Sequence, residues 1–280
     1  MIMLVNTKKK YLEVCLVQLC SSNILEDNVK KIIELEKIPQ DIDLIVLPEM
    51  VNIFEKNKEK IIRQIKNMDE DLFIKKCISI AKKKNVWMLI GSVAIKEKNN
   101  FFNRSILLNN FGKIVTYYDK VNLFKANLKG NFINETNLFK RGSTGKIKDT
   151  PWGKVALCIC YDLRFPNLFR CYAQEGARII FVPSAFTIPT GKDHWETLLK
   201  ARAIENSVWI IAPAQVGKHK DGRETYGHSL IIDPWGNKIV DLGGQVPKSK
   251  NISINLNEIE KAREKVCSFN MDEHFSIIKN

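Results

Sequence analysis

Apolar residues along this chain fall into short continuous runs that alternate with stretches of helical spacing, a pattern that predicts an α/β protein. Tyr11 to Val17 reads as the first strand. Ile42 to Leu47 is a second run, closed by Pro48, which cannot continue a strand ladder. Val86 to Ile95 is a third, in which Gly91 marks a close backbone approach. Asp27 to Leu35, with Asp27 as its candidate cap, and Asp71 to Lys83 carry apolar residues at helical spacing. Arg104 to Asn109, Phe111-Gly112 and Lys113 to Thr116 form a hairpin signal, and Ile114 to Tyr118 is the β run on its far side. Lys154 to Cys160 reads as a buried strand, and Asn167 to Gln174 as a helix with Pro166 in its first turn.

The hairpin has a near copy. Ser105 to Val115 can be laid over Ser229 to Val240 with one inserted residue, which predicts two related halves, each a sheet with helices on one face, packed together. No linker interrupts the alternation, so residues 1–280 are expected to form one domain. Trp195 and Trp209, on a helix face and in a strand, belong to its core.

Three strand ends collect reactive groups. Glu49 follows Pro48, Lys120 follows the run ending at Tyr118, and Cys160 stands where a strand gives way to a helix. Open sheets gather their chemistry at the carboxyl edges of strands. A sharp turn there exposes one side chain, and the N–H groups beyond it, beginning with Tyr161, can stabilise an oxyanion. Cys158 reads as a small buried hydrophobe pointing away from Cys160.

Leu47-Pro48-Glu49, Asp119-Lys120-Val121-Asn122-Leu123-Phe124 and Cys160-Tyr161-Asp162-Leu163-Arg164-Phe165-Pro166 resemble the Glu, Lys and Cys signatures of the nitrilase superfamily of carbon–nitrogen hydrolases. Pro183-Ser184-Ala185-Phe186, Thr190 to Glu196, Arg202 to Asn206, Tyr226 to Ser229 and Asp233 to Gly236 follow in that family's order, so the likeness runs from about residue 12 to 260. Within the superfamily the chain is most similar to the Nit branch, and Ala214 to His219 resembles the deaminated glutathione amidases more than the ω-amidases.

The resemblance implies a four-layer α-β-β-α sandwich with an internal pseudo-twofold axis. It also implies a cysteine-dependent amidase that passes through a thioester, acting on a small anionic amide, deaminated glutathione first and 2-oxoglutaramate as the alternative. Cys160 would be the nucleophile and Glu49 the general base and acid. Lys120 would lower the thiol's pKa and, with the N–H of Tyr161, hold the oxyanion, while Glu135 in Asn134-Glu135-Thr136 would position the others. Arg164 would read a substrate carboxylate, or else pair with Asp162; Ser184, Phe186 and Thr190 would line the pocket. Asn167 stands where the family has glutamate, and the tail from Cys267 to Asn280 diverges. A homodimer or larger homo-oligomer is the family's habit. A catalytically silent scaffold that binds a partner protein is the competing class of reading.

Composition narrows the field. The 280 residues, 45% of them hydrophobic, can bury a large core, and no apolar stretch is long enough to cross a bilayer. Met1 to Lys10 is basic but lacks a signal peptide's apolar run. Seven scattered cysteines make no disulfide ladder, so a reducing, cytoplasmic location is expected, with mitochondrial import left open. Cys158-Ile159-Cys160 has the wrong spacing for a redox pair or zinc knuckle, and no metal or cofactor is expected. The net charge of +13 comes from lysines spread along helices and loops without interleaved aromatics, which argues against a nucleic-acid partner and for a field that draws in anions. His228 has no evident Asn or Asp partner, which disfavours a protease-like Cys-His dyad, and Gly217 to Gly222 reads either as a mobile lid or as a solvated turn.

Overall fold

The computed structural model describes residues 9–128, 131–266, 268–270, 276 and 278; Cys267 and most of the tail after it lie outside the described residues, as do Met1 to Lys8. In chain order the first half runs β1 (Tyr11–Gln18), α1 (Leu25–Ile33), β2 (Leu44–Val46), α2 (Lys58–Gln64), α3 (Leu72–Lys84), β3 (Trp87–Glu97), β4 (Asn100–Leu108) and β5 (Ile114–Asp119). A small hairpin, β6 (Lys125–Leu128) and β7 (Asn131–Asn134), leads to the second half: β8 (Lys146–Thr150), β9 (Gly153–Leu157), α4 (Pro166–Gln174), β10 (Ile179–Phe181) and α5 (Ile188–Asn206). It continues through β11 (Trp209–Ala212), β12 (Val216–Lys218), β13 (Glu224–Tyr226), β14 (Leu230–Ile232) and β15 (Lys238–Asp241). Then β16 (Lys248–Asn255) returns to the first sheet, and α6 (Glu258–Lys265) follows.

Two six-stranded sheets result, ordered β16-β1-β2-β3-β4-β5 and β15-β14-β11-β10-β9-β8. Both have the same pairing sequence. An antiparallel outer strand is followed by two parallel pairings, β1 with β2 and β2 with β3 in one sheet, β9 with β10 and β10 with β11 in the other; two antiparallel pairings complete each. The alternation of side chains sets the layers. Leu12, Val14, Leu16, Leu44 and Val46 share a buried cluster with Val155, Leu157 and Ile180 of the second sheet, whereas Cys15, Val17, Ile45 and Leu47 pack on Ile32 of α1 and Phe73, Cys77 and Ile80 of α3. Helices α4 and α5 cover the second sheet with Phe169, Tyr172, Trp195 and Leu199, completing the expected α-β-β-α order.

The paired hairpins β4–β5 and β14–β15 are equivalent elements of this symmetry. Leu107 faces Thr116 and Ile231 faces Val240, so the two segments correspond residue for residue and the expected insertion is not needed. Each turn is built the same way: Asn109 Oδ1 accepts the N–H groups of Phe111 and Lys113, and Asp233 Oδ1 those of Trp235 and Asn237. Trp195 and Trp209 are core residues, as their patterns predict.

Some boundaries move. Helix α1 begins at Leu25, because the Ser22 hydroxyl accepts the N–H of Ile24 and the chain turns there; Asp27 is therefore inside the first turn and receives the Ser22 hydroxyl instead of capping. In α3 the cap is Asp71, whose carboxylate accepts the N–H of Ile74 at 2.9 Å. The loop from Gly217 to Gly222 is neither a lid nor a solvated turn throughout. It closes the β12–β13 hairpin and carries His219, which is buried and stacked on Phe54.

Candidate active site

Glu49 reaches its place through a glycine. A Cβ at Gly91 would stand 1.8 Å from the Leu47 carbonyl oxygen and 2.3 Å from that of Pro48, so β3 can pass beneath the Pro48-Glu49 segment only without a side chain. The backbone there is tied to β3 by Leu47 N–H to the Leu89 carbonyl and Ser92 N–H to the Pro48 carbonyl. Lys120 leaves the end of β5 with its N–H on the Asn103 carbonyl. Cys160 opens a 3₁₀ turn spanning Cys160–Arg164, which separates β9 from α4 and shortens the strand expected up to Cys160. Its N–H still continues the parallel pairing by donating to the Pro183 carbonyl at 2.9 Å, and its φ of 48° puts a non-glycine residue in the left-handed region.

That φ also explains the two cysteines. Residues two apart in an extended strand face the same way, so alternation cannot separate Cys158 from Cys160. The left-handed turn does. Cys158 feels the charges of Asp162 and Arg202, whereas Cys160 is paired with Glu49 and feels the charge of Lys120.

The predicted acid, amine and thiol therefore meet in one place. Lys120 Nζ is 2.8 Å from Glu49 Oε1 and 2.9 Å from Glu135 Oε2. Glu49 Oε1 also accepts from Asn103 Nδ2 at 3.0 Å, and Glu135 Oε2 from the Phe124 N–H at 2.7 Å. The Cys160 thiol faces the Glu49 carboxylate and the backbone N–H of Ala185. Burial opposes the Lys120 charge, yet Glu135, Glu49 and Cys160 together hold its pKa well above the ordinary lysine value. Burial, reinforced by the Glu49 charge, holds the Cys160 thiol well above the usual thiol range despite Lys120. Lys120 thus pulls the thiol down, as expected, against the larger opposing effects of burial and the Glu49 charge. Burial likewise raises Glu135 against the pull of Lys120.

Asp162 fastens this cluster together. Fully buried, it accepts the Ile159 N–H, the Tyr118 hydroxyl, and both the N–H and Nδ2 of Asn122, at 2.8 to 3.0 Å. The nucleophile turn and the strand end that carries Lys120 are joined through it. Asp162 is committed to these partners, while Arg164 Nη2 donates to His194 Nδ1 at 3.2 Å and its guanidinium lies by the Tyr161 and Phe186 rings.

A cavity of about 200 Å³ opens onto Glu49, Lys120, Glu135 and Cys160. Tyr161, Arg164, Phe186 and Thr190 line it. Ser184 does not: it is fully buried and its hydroxyl donates to the Val182 carbonyl at 2.9 Å. His228 also lies outside the lining; it does have an aspartate partner, Asp241, at 3.0 Å, which the sequence conceals because β15 brings it in. Phe54, Phe124, Ile133, Arg223 and Thr225 line the cavity and were not anticipated, since all come from loops or short hairpins whose docking no local pattern signals. Among the described residues no cluster of His, Cys, Asp and Glu is arranged to hold a metal, and no helix is long and apolar enough to cross a membrane.

Comparison with known proteins agrees with this geometry. The carbon-nitrogen hydrolase family pattern matches residues 13–264. The chain is 35% identical over 268 residues to a deaminated glutathione amidase of Dictyostelium discoideum, covering 90% of this chain and 91% of the relative. It is 32% identical over 264 residues to that of Yersinia enterocolitica, covering 92% and 91%. The crystal structure of Saccharomyces cerevisiae Nit3, a member of branch 10 of the nitrilase superfamily, superposes with a TM-score of 0.81 at 27% identity, covering 92% of this chain and 95% of that one. Fold, cavity and likeness over nearly the whole length converge, and the chain belongs to the carbon-nitrogen hydrolase family, as a hydrolase of carbon–nitrogen bonds other than peptide bonds.

Proposed function

We propose that this enzyme is a cysteine-dependent amidase that hydrolyses deaminated glutathione through a thioester on Cys160. The observation that carries this reading is the meeting of a buried thiol with Glu49 and Lys120 on the wall of one cavity. The names of the relatives supply the substrate.

The groups suffice for each step. Glu49 takes the thiol proton as the sulfur attacks the amide carbonyl, so negative charge passes from carboxylate to oxyanion without a free thiolate ever building up. Lys120 and the N–H of Tyr161 stabilise that oxyanion. The C–N bond then breaks, the amine leaves with the proton held by Glu49, and the acyl group remains on sulfur. Water attacks the thioester with Glu49 again as base; the C–S bond breaks and the sulfur recovers its proton. Glu135 acts by position. It holds Lys120 alongside Glu49 and is itself tied to the Phe124 N–H.

Arg164 binds a substrate carboxylate, consistent with its place on the cavity wall four residues beyond the nucleophile and with its separation from Asp162. We also read the enzyme as a cytoplasmic homo-oligomer. Six free cysteines among the described residues suit a reducing compartment, and homo-oligomers are the habit of the family to which the chain belongs.

Product release from deaminated glutathione and from 2-oxoglutaramate, compared between wild type and Cys160→Ala, tests the reading. Loss of several orders of magnitude with the thiol supports it; turnover of 2-oxoglutaramate alone would assign the enzyme to ω-amidase chemistry, and a folded protein inert to both would favour the scaffold.

A further inference from the structure

A second arginine lines the cavity. Arg223 is on the turn between β12 and β13, far in sequence from Arg164, and its surroundings fix it tightly. Its Nε donates to Asp221 Oδ2 at 2.6 Å, and the guanidinium carbon sits 3.9 Å from the centre of the Phe54 ring. The His219 ring centre is also 3.9 Å from that of Phe54. Two groups so close to one ring centre must occupy its opposite faces, so Phe54 is clamped between them. His219 is in turn fixed by Nδ1–H to the Ser21 carbonyl at 2.9 Å and by Thr225 Oγ1 at 2.8 Å. Thr225 and Phe54 are cavity residues themselves.

Within this frame the Arg223 Nη2 is buried and has no hydrogen-bond partner among the described residues. The side chain as a whole is 38% exposed, and a guanidinium held in place by Asp221 and Phe54, with one donor lacking an acceptor, is a strong place for an anionic oxygen. Of the two acidic neighbours at this end, Asp221 is engaged by the Arg223 Nε, and Glu224, which also lines the cavity, is exposed to solvent.

The two arginines touch different walls. Arg164 lies on Tyr161 and Phe186, on the turn that carries the nucleophile. Arg223 lies on Phe54, which the chain reaches five residues after Glu49. The acyl part of an amide stays with the thiol, and the departing amine takes its proton from Glu49. We infer that Arg223 binds a carboxylate on the leaving-amine side of the substrate, so that the site selects amides with an acid at each end, one for Arg164 and one for Arg223. The inference rests on the amidase reading above and adds its basis of selection: deaminated glutathione carries a carboxylate on both sides of the scissile bond, whereas 2-oxoglutaramate has one only on the acyl side.

The test is steady-state kinetics of wild type, Arg223→Gln and Arg223→Lys on deaminated glutathione, on its C-terminal carboxamide and on 2-oxoglutaramate. Losing a charged hydrogen bond should lower kcat/KM of Arg223→Gln for deaminated glutathione by roughly 10- to 100-fold, mostly through KM. The lysine variant should fall between. Turnover of 2-oxoglutaramate should be unaltered, and the wild type's preference for the free acid over the carboxamide should disappear in Arg223→Gln. Equal losses on all substrates would mark Arg223 as merely structural, and no loss on any would remove it from the site; either overturns the inference while wild-type turnover still supports the amidase. Inert wild type would overturn the amidase reading, and this one with it, before any variant is made.

Discussion

Lys120 Nζ and Glu49 Oε1 stand 2.8 Å apart where neither side chain is more than 3% exposed, with a second carboxylate, Glu135, on the same ammonium. One buried cation thus serves a buried anion, Glu49, and a partly buried one, Glu135. Removing it leaves both carboxylates without their counter-charge, and such truncations cost about 3–5 kcal/mol. Lys120→Met is therefore expected to lower the urea midpoint as well as abolish turnover. An unchanged midpoint would mean that the pair is solvated in solution.

Glu49 has opposite effects on two properties of the thiol. Its charge helps hold the Cys160 pKa up, so Glu49→Gln should let the pKa fall toward the value favoured by Lys120, and a lower thiol pKa means more thiolate at a given pH. Alkylation of Cys160 by iodoacetamide at about pH 8, near the ordinary thiol pKa, should therefore speed up in Glu49→Gln, while amide hydrolysis drops about 100- to 10,000-fold for want of the proton carrier. If both rates fell together, Glu49 would be promoting thiolate formation in the free enzyme, the reverse of the upward push its charge gives the thiol pKa.

Tyr118→Phe removes one of the bonds that tie the nucleophile turn to the Lys120 strand end. A hydrogen bond to a charged, buried group contributes about 1.5–3 kcal/mol, and chemical denaturation should show a loss of that size with the fold intact. A variant as stable as wild type would show that Asp162 finds another donor.

Gly91→Ala should be more damaging than its one methyl suggests. The added carbon meets backbone oxygen atoms of Leu47 and Pro48, which cannot swing aside as a flexible side chain would. Expression with a sharply lowered melting temperature, and weak activity in whatever folds, is the expected result; wild-type behaviour in both would contradict the close approach.

Gly91 also shows what the sequence could disclose. A glycine inside an apolar strand announces that some backbone comes near, and the acid at Glu49, the amine at Lys120 and the thiol at Cys160 all stand where apolar runs break, so the site's centre was legible. The repeated hairpins disclosed the twofold arrangement for the same local reason. What stayed hidden depends on long-range docking. Arg223 and Phe54 are 169 positions apart in the chain yet in ring contact, and Ser184 sits in a motif that resembles a pocket loop while its hydroxyl turns into the core. The Asp162 network was missed because its four donors come from two segments, Tyr118 to Asn122 and the turn at Ile159, and only the packed sheets bring them to one carboxylate.

Covalent catalysis at Cys160 is probed without intermediary by acid-quenching wild type and Cys160→Ala milliseconds after mixing with deaminated glutathione and reading intact and peptide masses. A thioester mechanism requires a transient acyl adduct on the peptide that contains Cys160, lost on the timescale of turnover and absent from the alanine variant. Full turnover with no adduct on that peptide, or an adduct that persists in Cys160→Ala, would contradict it.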